Sequence, residues 1–196
     1  ELDKKNQPEN IVFKTTKSSN KLIEEFMLLA NKKVAEKMRK SKERFVYRVH
    51  DQPDQEKLKN LQTVVKRLGY NLKLSSNELN DSLNSLLKKA FGKNEQNLID
   101  TLMIRSMSKA EYTTKNIGHY GLSFENYTHF TSPIRRYPDV MVHRLIQAEI
   151  DGEKIKTDEA ETLCKHSTHM EILATKAERD SVKLMQIKFM KDKEGK

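Results

Sequence analysis

The chain has 196 residues, 36% of them hydrophobic and 33% charged, with a formal net charge of +9 and a pI near 9.4. That length supports one sizeable core or one lobe of something larger, and strong helical periodicity on a lean hydrophobic content favours amphipathic helices over disorder. A single Cys164 excludes an intrachain disulfide and a cysteine-cluster zinc site and fits a reducing cytoplasm; no apolar run is long enough to span a membrane; the positive balance favours a polyanion, nucleic acid before an anionic membrane surface.

The opening ELDKKNQPEN carries no Met and no visible secretory leader, so the sequence reads as an excised fragment. After an extended PENIVFKTT, the cluster Ser18, Ser19, Asn20 can cap a helix running to about Ser41. Leu22, Ile23, Phe26, Met27, Leu29, Ala30, Val34 and Met38 form one face of it. Glu24 and Asn31 share the flank of that face while Glu25 points elsewhere, which makes Glu24 the expected semi-buried carboxylate. RFVYRVH, β-branched and aromatic, predicts a strand, and DQPDQEK turns into a helix ending at Gly69. Two short helices follow, roughly Asn77 to Phe91, closed by Gly92, and Glu95 to Met107. From Glu111 to Phe130 the pattern becomes extended and glycine-dotted, and a last long helix runs from near Thr157 to about Lys191. The expected fold class is α+β, helix-dominant, with strands near 45–50 and 111–130.

Between those last two elements lies YTHFTSPIRRYPDVMVHR, residues 127–144. The chain holds 28 Lys against 9 Arg, yet no Lys occurs from Asn116 to Glu153. Thr131 or Ser132 is a good N-cap and Pro133 suits a first helical position, so TSPIRR predicts a helix start, with a kink or restart forced at Pro138. A helix start favours an anion, and the fork-shaped donors of Arg135 and Arg136 match phosphate oxygens as an ammonium does not. Tyr120, Phe124, Tyr127, Phe130 and Tyr137 crowd the same region, a composition suited to single-stranded nucleic acid. The residues equally allow a structural ladder in which Arg135 pairs with Asp139 and Asp139 holds His143.

HYGLSFENYTHFTSPIRRYPDVMVHRLI resembles the catalytic-domain signature of the ribonuclease II and ribonuclease R family, and LIEEFMLLANKKVAE, FVYRVHDQPDQEKL and ATKAERD fall in the family's order and spacing. The resemblance covers nearly the whole chain and looks closer to ribonuclease R, or to its relative acting in eukaryotic exosomes, than to ribonuclease II proper. It implies a partial RNB-type catalytic domain, residues 1–196 being the C-terminal half, with long helices packed on a small incomplete sheet. It further implies a processive 3′-to-5′ exoribonuclease that hydrolyses single-stranded RNA to nucleoside 5′-monophosphates with divalent metal held by aspartates. Carried over by position, Arg135 grips the phosphate at the cleavage centre, Glu24 lies near that centre and Glu178 near the terminal nucleotide. Thr131, Ser132, Arg136 and Tyr137 are the implied neighbours on RNA or phosphate.

The family's metal motif, D-x-x-x-x-x-D-x-D-D, lies upstream of the region resembled, and the sequence holds no such cluster. The oligonucleotide-binding barrel would start just after Lys196. Mg2+ is therefore expected in the full-length enzyme and not on this chain, which should be inactive in isolation. Its partner should be single-stranded RNA rather than a membrane, and an uncovered packing surface should promote self-association. A noncatalytic helical RNA-binding or scaffold protein that keeps the fold is the alternative.

Other signals have plainer readings. His166 and His169 with Glu171 nearby have a spacing open to metal but more often belong to a solvated helix. His119 and His129 flank the aromatics without a required catalytic task. The Met residues at helical spacing and Cys164 read as core, and KKVAEKMRKSKER reads as a solvated basic face that could widen an RNA path.

Overall fold

A computed structural model describes residues 1–12, 15–41, 44–75, 78–153, 158–191 and 193. The described chain falls into two compact units, Glu1–Val49 with Glu111–Asn116 and Phe124–Lys196, and His50–Ala110 with Ile117–Ser123.

The first unit is built on three helices and one strand pair: α1 (Ser18–Met38), β1 (Tyr47–Val49), β2 (Glu111–Thr113), α5 (Tyr137–Asp151) and α6 (Ala160–Lys191). The expected starts at Asn77 and Thr157, and Phe13 and Lys14 of the opening stretch, lie outside the described residues. β1 and β2 are antiparallel, with Tyr47 opposite Thr113 and Val49 opposite Glu111. Phe45, Val46, Tyr47, Val49, Tyr112, Met141, Val142 and Cys164 form the core between the strands and the helices. Each fully buried side chain of the Val or Leu class stabilises the fold by about 1.5–3 kcal/mol.

The second unit holds α2 (Gln55–Arg67), α3 (Leu79–Ala90) and α4 (Gln96–Ser106). Asp54 caps α2 by accepting the Glu56 and Lys57 amides at 3.0 and 3.2 Å. Leu58, Leu61 and Val65 recur on one helical face and bury against Leu83, Leu86, Ile99 and Met103. Gly69, at φ +85°, follows α2 in the left-handed region where a side chain would be strained. His50 donates from Nε2 to the Ser108 carbonyl and accepts the Gly121 amide at Nδ1, a pairing that fixes its neutral tautomer.

The helix-dominant α+β class holds, with three corrections of detail. Between Glu111 and Phe130 only Glu111–Thr113 is a strand; Tyr120–Leu122 is a short 3-10 turn and the rest is irregular. Ladder bonds are replaced there by side-chain bonds, such as the Thr128 hydroxyl to the Val46 carbonyl at 2.7 Å. The apolar face of α1 buries only in its second half: Ala35 and Met38 are buried, while Leu22, Ile23, Phe26 and Leu29 are exposed. Glu24, expected to be semi-buried, is exposed with them, on the half of α1 where Leu22, Ile23 and Phe26 stay uncovered. Of the methionines, Met38, Met103 and Met141 are core whereas Met170 and Met190 are exposed.

Candidate nucleic-acid interface

The segment leading to the arginines is fixed by bonds between residues far apart in sequence. Arg48 donates its amide to the Tyr127 carbonyl at 3.0 Å. On α1, buried Asn31 donates Nδ2 to the Tyr127 hydroxyl at 3.0 Å and accepts the Phe130 amide at Oδ1 at 2.9 Å. The Phe130 ring stacks on His143 at 4.2 Å, and His143 Nε2 lies 2.9 Å from the Phe130 carbonyl, so that nitrogen carries the proton.

Beyond Phe130 the chain makes a single turn. The helix expected from Pro133 does not form: the amides of Arg135 and Arg136 both reach the Ser132 carbonyl, at 3.3 and 3.1 Å, and α5 begins only at Tyr137. The reason lies in Pro138, which has no amide hydrogen to offer the Ile134 carbonyl and whose ring crowds that turn. Arg136 takes the extended N-cap conformation instead, φ −130° and ψ 115°, and Pro138 falls in the first turn, where it is tolerated.

Asp139 is the third residue of α5 and is wholly buried. Its Oδ1 accepts the Ser132 amide and Arg136 Nη2, each at 2.8 Å. The ladder Arg135–Asp139–His143 is thus absent: Asp139 takes the arginine three residues back, and His143 takes the Phe130 carbonyl. The choice between the two arginines follows from the late helix start, which puts Arg136 at the cap and Arg135 at the tip of the turn. Arg135 is exposed, and its guanidinium makes no hydrogen bond or ion pair among the described residues. Ile134 beside it is fully exposed and Tyr137 half-exposed, while Thr131 and Ser132 are half-buried.

A second polar layer underlies the first. Arg48 grips Glu171 of α6 with two bonds, 2.6 and 3.1 Å, and lies over the Tyr112 ring at 4.5 Å. The Tyr112 hydroxyl meets His129 Nδ1 at 2.8 Å. Burial pushes the Tyr112 phenol up to about 12, against the opposing pull of Arg48, with Glu171, Arg136 and Asp139 also acting on it. Both ion pairs therefore act electrostatically on one tyrosine.

Arg135, Glu24 and Glu178 belong to this unit, all exposed, and none bonds another. Glu24 lies seven residues before Asn31 and Glu178 seven after Glu171, each about 10 Å along its helix from a fixed contact and on nearly the same face. His166 and His169 are exposed and Glu171 is committed to Arg48. Among the described residues no group of three or more His, Cys, Asp or Glu side chains is disposed to hold a metal ion, and no helix is long and apolar enough to cross a membrane. Asn31 and the Arg48–Glu171 pair escaped the sequence reading because their partners lie tens of residues away; the flank position of Asn31 was the one legible sign.

The family model described as RNB domain matches residues 1–152. Ribonuclease R of Aquifex aeolicus is 36% identical over 181 residues, covering 90% of this chain and 26% of that protein. Among solved structures, Mycoplasma genitalium RNase R in complex with ribose methylated single-stranded RNA aligns with a TM-score of 0.89 at 26% identity, over 100% of this chain and 32% of the other. Yeast Ssd1, titled a pseudonuclease, aligns with a TM-score of 0.62 at 29% identity, over 76% of this chain and 19% of the other. The chain thus spans about a quarter of the curated relative's length.

Proposed function

The chain belongs to the RNB domain family, and from that premise we propose that it forms part of a 3′-to-5′ exoribonuclease, ribonuclease R-like, that hydrolyses single-stranded RNA to nucleoside 5′-monophosphates. Its share of the work is to bind and orient the phosphate. The observation that carries this reading is the isolation of Arg135, an exposed guanidinium at the tip of a turn whose neighbouring arginine is tied down. A planar, always-charged fork held in the open without a carboxylate is suited to a phosphodiester. Tyr137 beside it offers a ring for a base, and Thr131 and Ser132 line the same turn. Glu24 is assigned to the neighbourhood of the cleavage centre and Glu178 to that of the terminal nucleotide.

Mg2+ is the metal assigned to the full-length enzyme, where it would activate water. The described residues do not fit that ion, because the one buried carboxylate of the turn, Asp139, already serves Arg136 and Ser132. A reducing cytoplasm is the setting we assign, on the single free Cys164.

Fluorescence anisotropy of a labelled single-stranded RNA on the 196-residue chain tests the reading. Arg135→Ala should weaken binding by about 1.5–3 kcal/mol, the usual worth of a hydrogen bond to a charged group, with the melting temperature unchanged. Unchanged affinity would remove Arg135 from the interface. The likeness to Ssd1, a pseudonuclease, favours a second reading, a noncatalytic helical RNA-binding or scaffold protein that keeps the fold. Mononucleotide release in magnesium separates them: the isolated chain should bind RNA and release none, and the parent protein should release it only under the first reading. The exposed Leu22, Ile23, Phe26 and Leu29 should also make the isolated chain self-associate in sedimentation, and Phe26→Glu should reverse it.

A further inference from the structure

Arg135 has no side-chain hydrogen bond or ion pair among the described residues to aim it, so its direction is set by the turn beneath. That turn is closed by one carboxylate. Asp139 is fully buried, and one of its oxygens joins the Ser132 amide at the start of the turn to the Arg136 guanidinium at its end. Three buried polar atoms crowd the same few residues without a hydrogen-bond partner among those described: Thr131 Oγ1, Arg136 Nε and Asp139 Oδ2. A buried ion pair with unused valences is no economical way to hold a helix start, since apolar packing of similar volume is often as stable. Its specific effect is on the arginines. It withdraws Arg136 from solvent, to 17% side-chain exposure, and leaves Arg135 as the free cation of the turn.

We propose that Asp139 is the positioning residue of this site: by clamping Ser132 to Arg136 it selects which of two adjacent guanidinia meets the phosphate and fixes the direction of that one. The inference rests on the phosphate-binding reading of Arg135. In the clamped turn the fork geometry of Arg135 matters, so a lysine there is a poor substitute. With the clamp opened, Arg136 is released as a second mobile cation, and the distinction between arginine and lysine at 135 disappears because neither is held in register.

The test is a double-mutant cycle on the 196-residue chain, read by anisotropy of a fluorescein-labelled single-stranded oligouridylate, together with amide exchange of Ser132 and Arg136. In the native background Arg135→Lys should weaken binding roughly tenfold. In an Asp139→Asn background the same change should cost less than about twofold, because interacting residues are not additive. Exchange at Ser132 should accelerate in Asp139→Asn, whose neutral amide is the weaker acceptor. A general structural role would lower the melting temperature without abolishing the 135 penalty, so an undiminished tenfold penalty in Asp139→Asn overturns the proposal and leaves the phosphate reading intact. A lysine tolerated at 135 in both backgrounds overturns the phosphate reading itself and the positioning role with it. Should Asp139→Asn fail to fold, Arg136→Gln opens the clamp from the other side and must show the same loss of penalty; additivity there overturns the proposal equally.

Discussion

Glu161 shows how much of unit 1 rests on single side chains. Its carboxylate accepts the Thr114 amide and hydroxyl, both at 2.7 Å, and the Thr113 hydroxyl, and the Thr114 amide chiefly holds its carboxyl below the usual range. A lowered folded value stabilises the protein above the unfolded carboxylate value, about 4.3, and that stability is lost as pH falls through the folded value. Thermal melts between pH 7 and 3 should therefore show Glu161→Gln melting lower than the native chain at neutral pH and converging with it in acid; parallel curves would count against the assignment. At this scale the sequence exposed Arg135 through the lysine-free segment that carries it. It did not expose which arginine Asp139 would hold, because that depends on whether the helix starts at 133 or 137, and the two starts differ by one proline ring.

Elements were legible where a cap and a periodic face coincide and blurred where packing decides. α2 has both, an Asp54 cap and the spacing of Leu58, Leu61 and Val65, and it forms where expected. Asp54→Ala should accordingly cost about 1 kcal/mol, the usual worth of an N-cap, visible as a lowered urea midpoint with an unchanged slope. The strands were overestimated because β-branched and aromatic residues signal a half-buried surface without saying whether a partner strand exists. In α6 the fixed point is Glu171, whose partner Arg48 sits 12% exposed in β1. Arg48→Ala leaves that carboxylate, itself 38% exposed and within reach of water, without its partner and should destabilise unit 1 by about 1.5–3 kcal/mol, the usual worth of a hydrogen bond to a charged group, in chemical denaturation followed at the tyrosines.

Over the whole molecule, the described chain divides into two compact units. The division depends on contacts between distant residues, which periodicity along the chain does not register. Cys164 offers a chemical view of the first unit: it is fully buried, and burial pushes its thiol up to about 12. Ellman's reagent at pH 8 should react with it only as fast as the unit opens, so that urea accelerates labelling in step with unfolding; an immediate reaction in native buffer would contradict the burial. The register Val49 opposite Glu111 carries a consequence in time. The core that includes Leu58 and Met103 is complete within the intervening stretch and can condense as soon as it is synthesised. Tyr47 to Val49, by contrast, emerge from a ribosome early and must wait for Glu111 before finding their mate, a vigil during which an unpaired hydrophobic edge is offered to any passing chain.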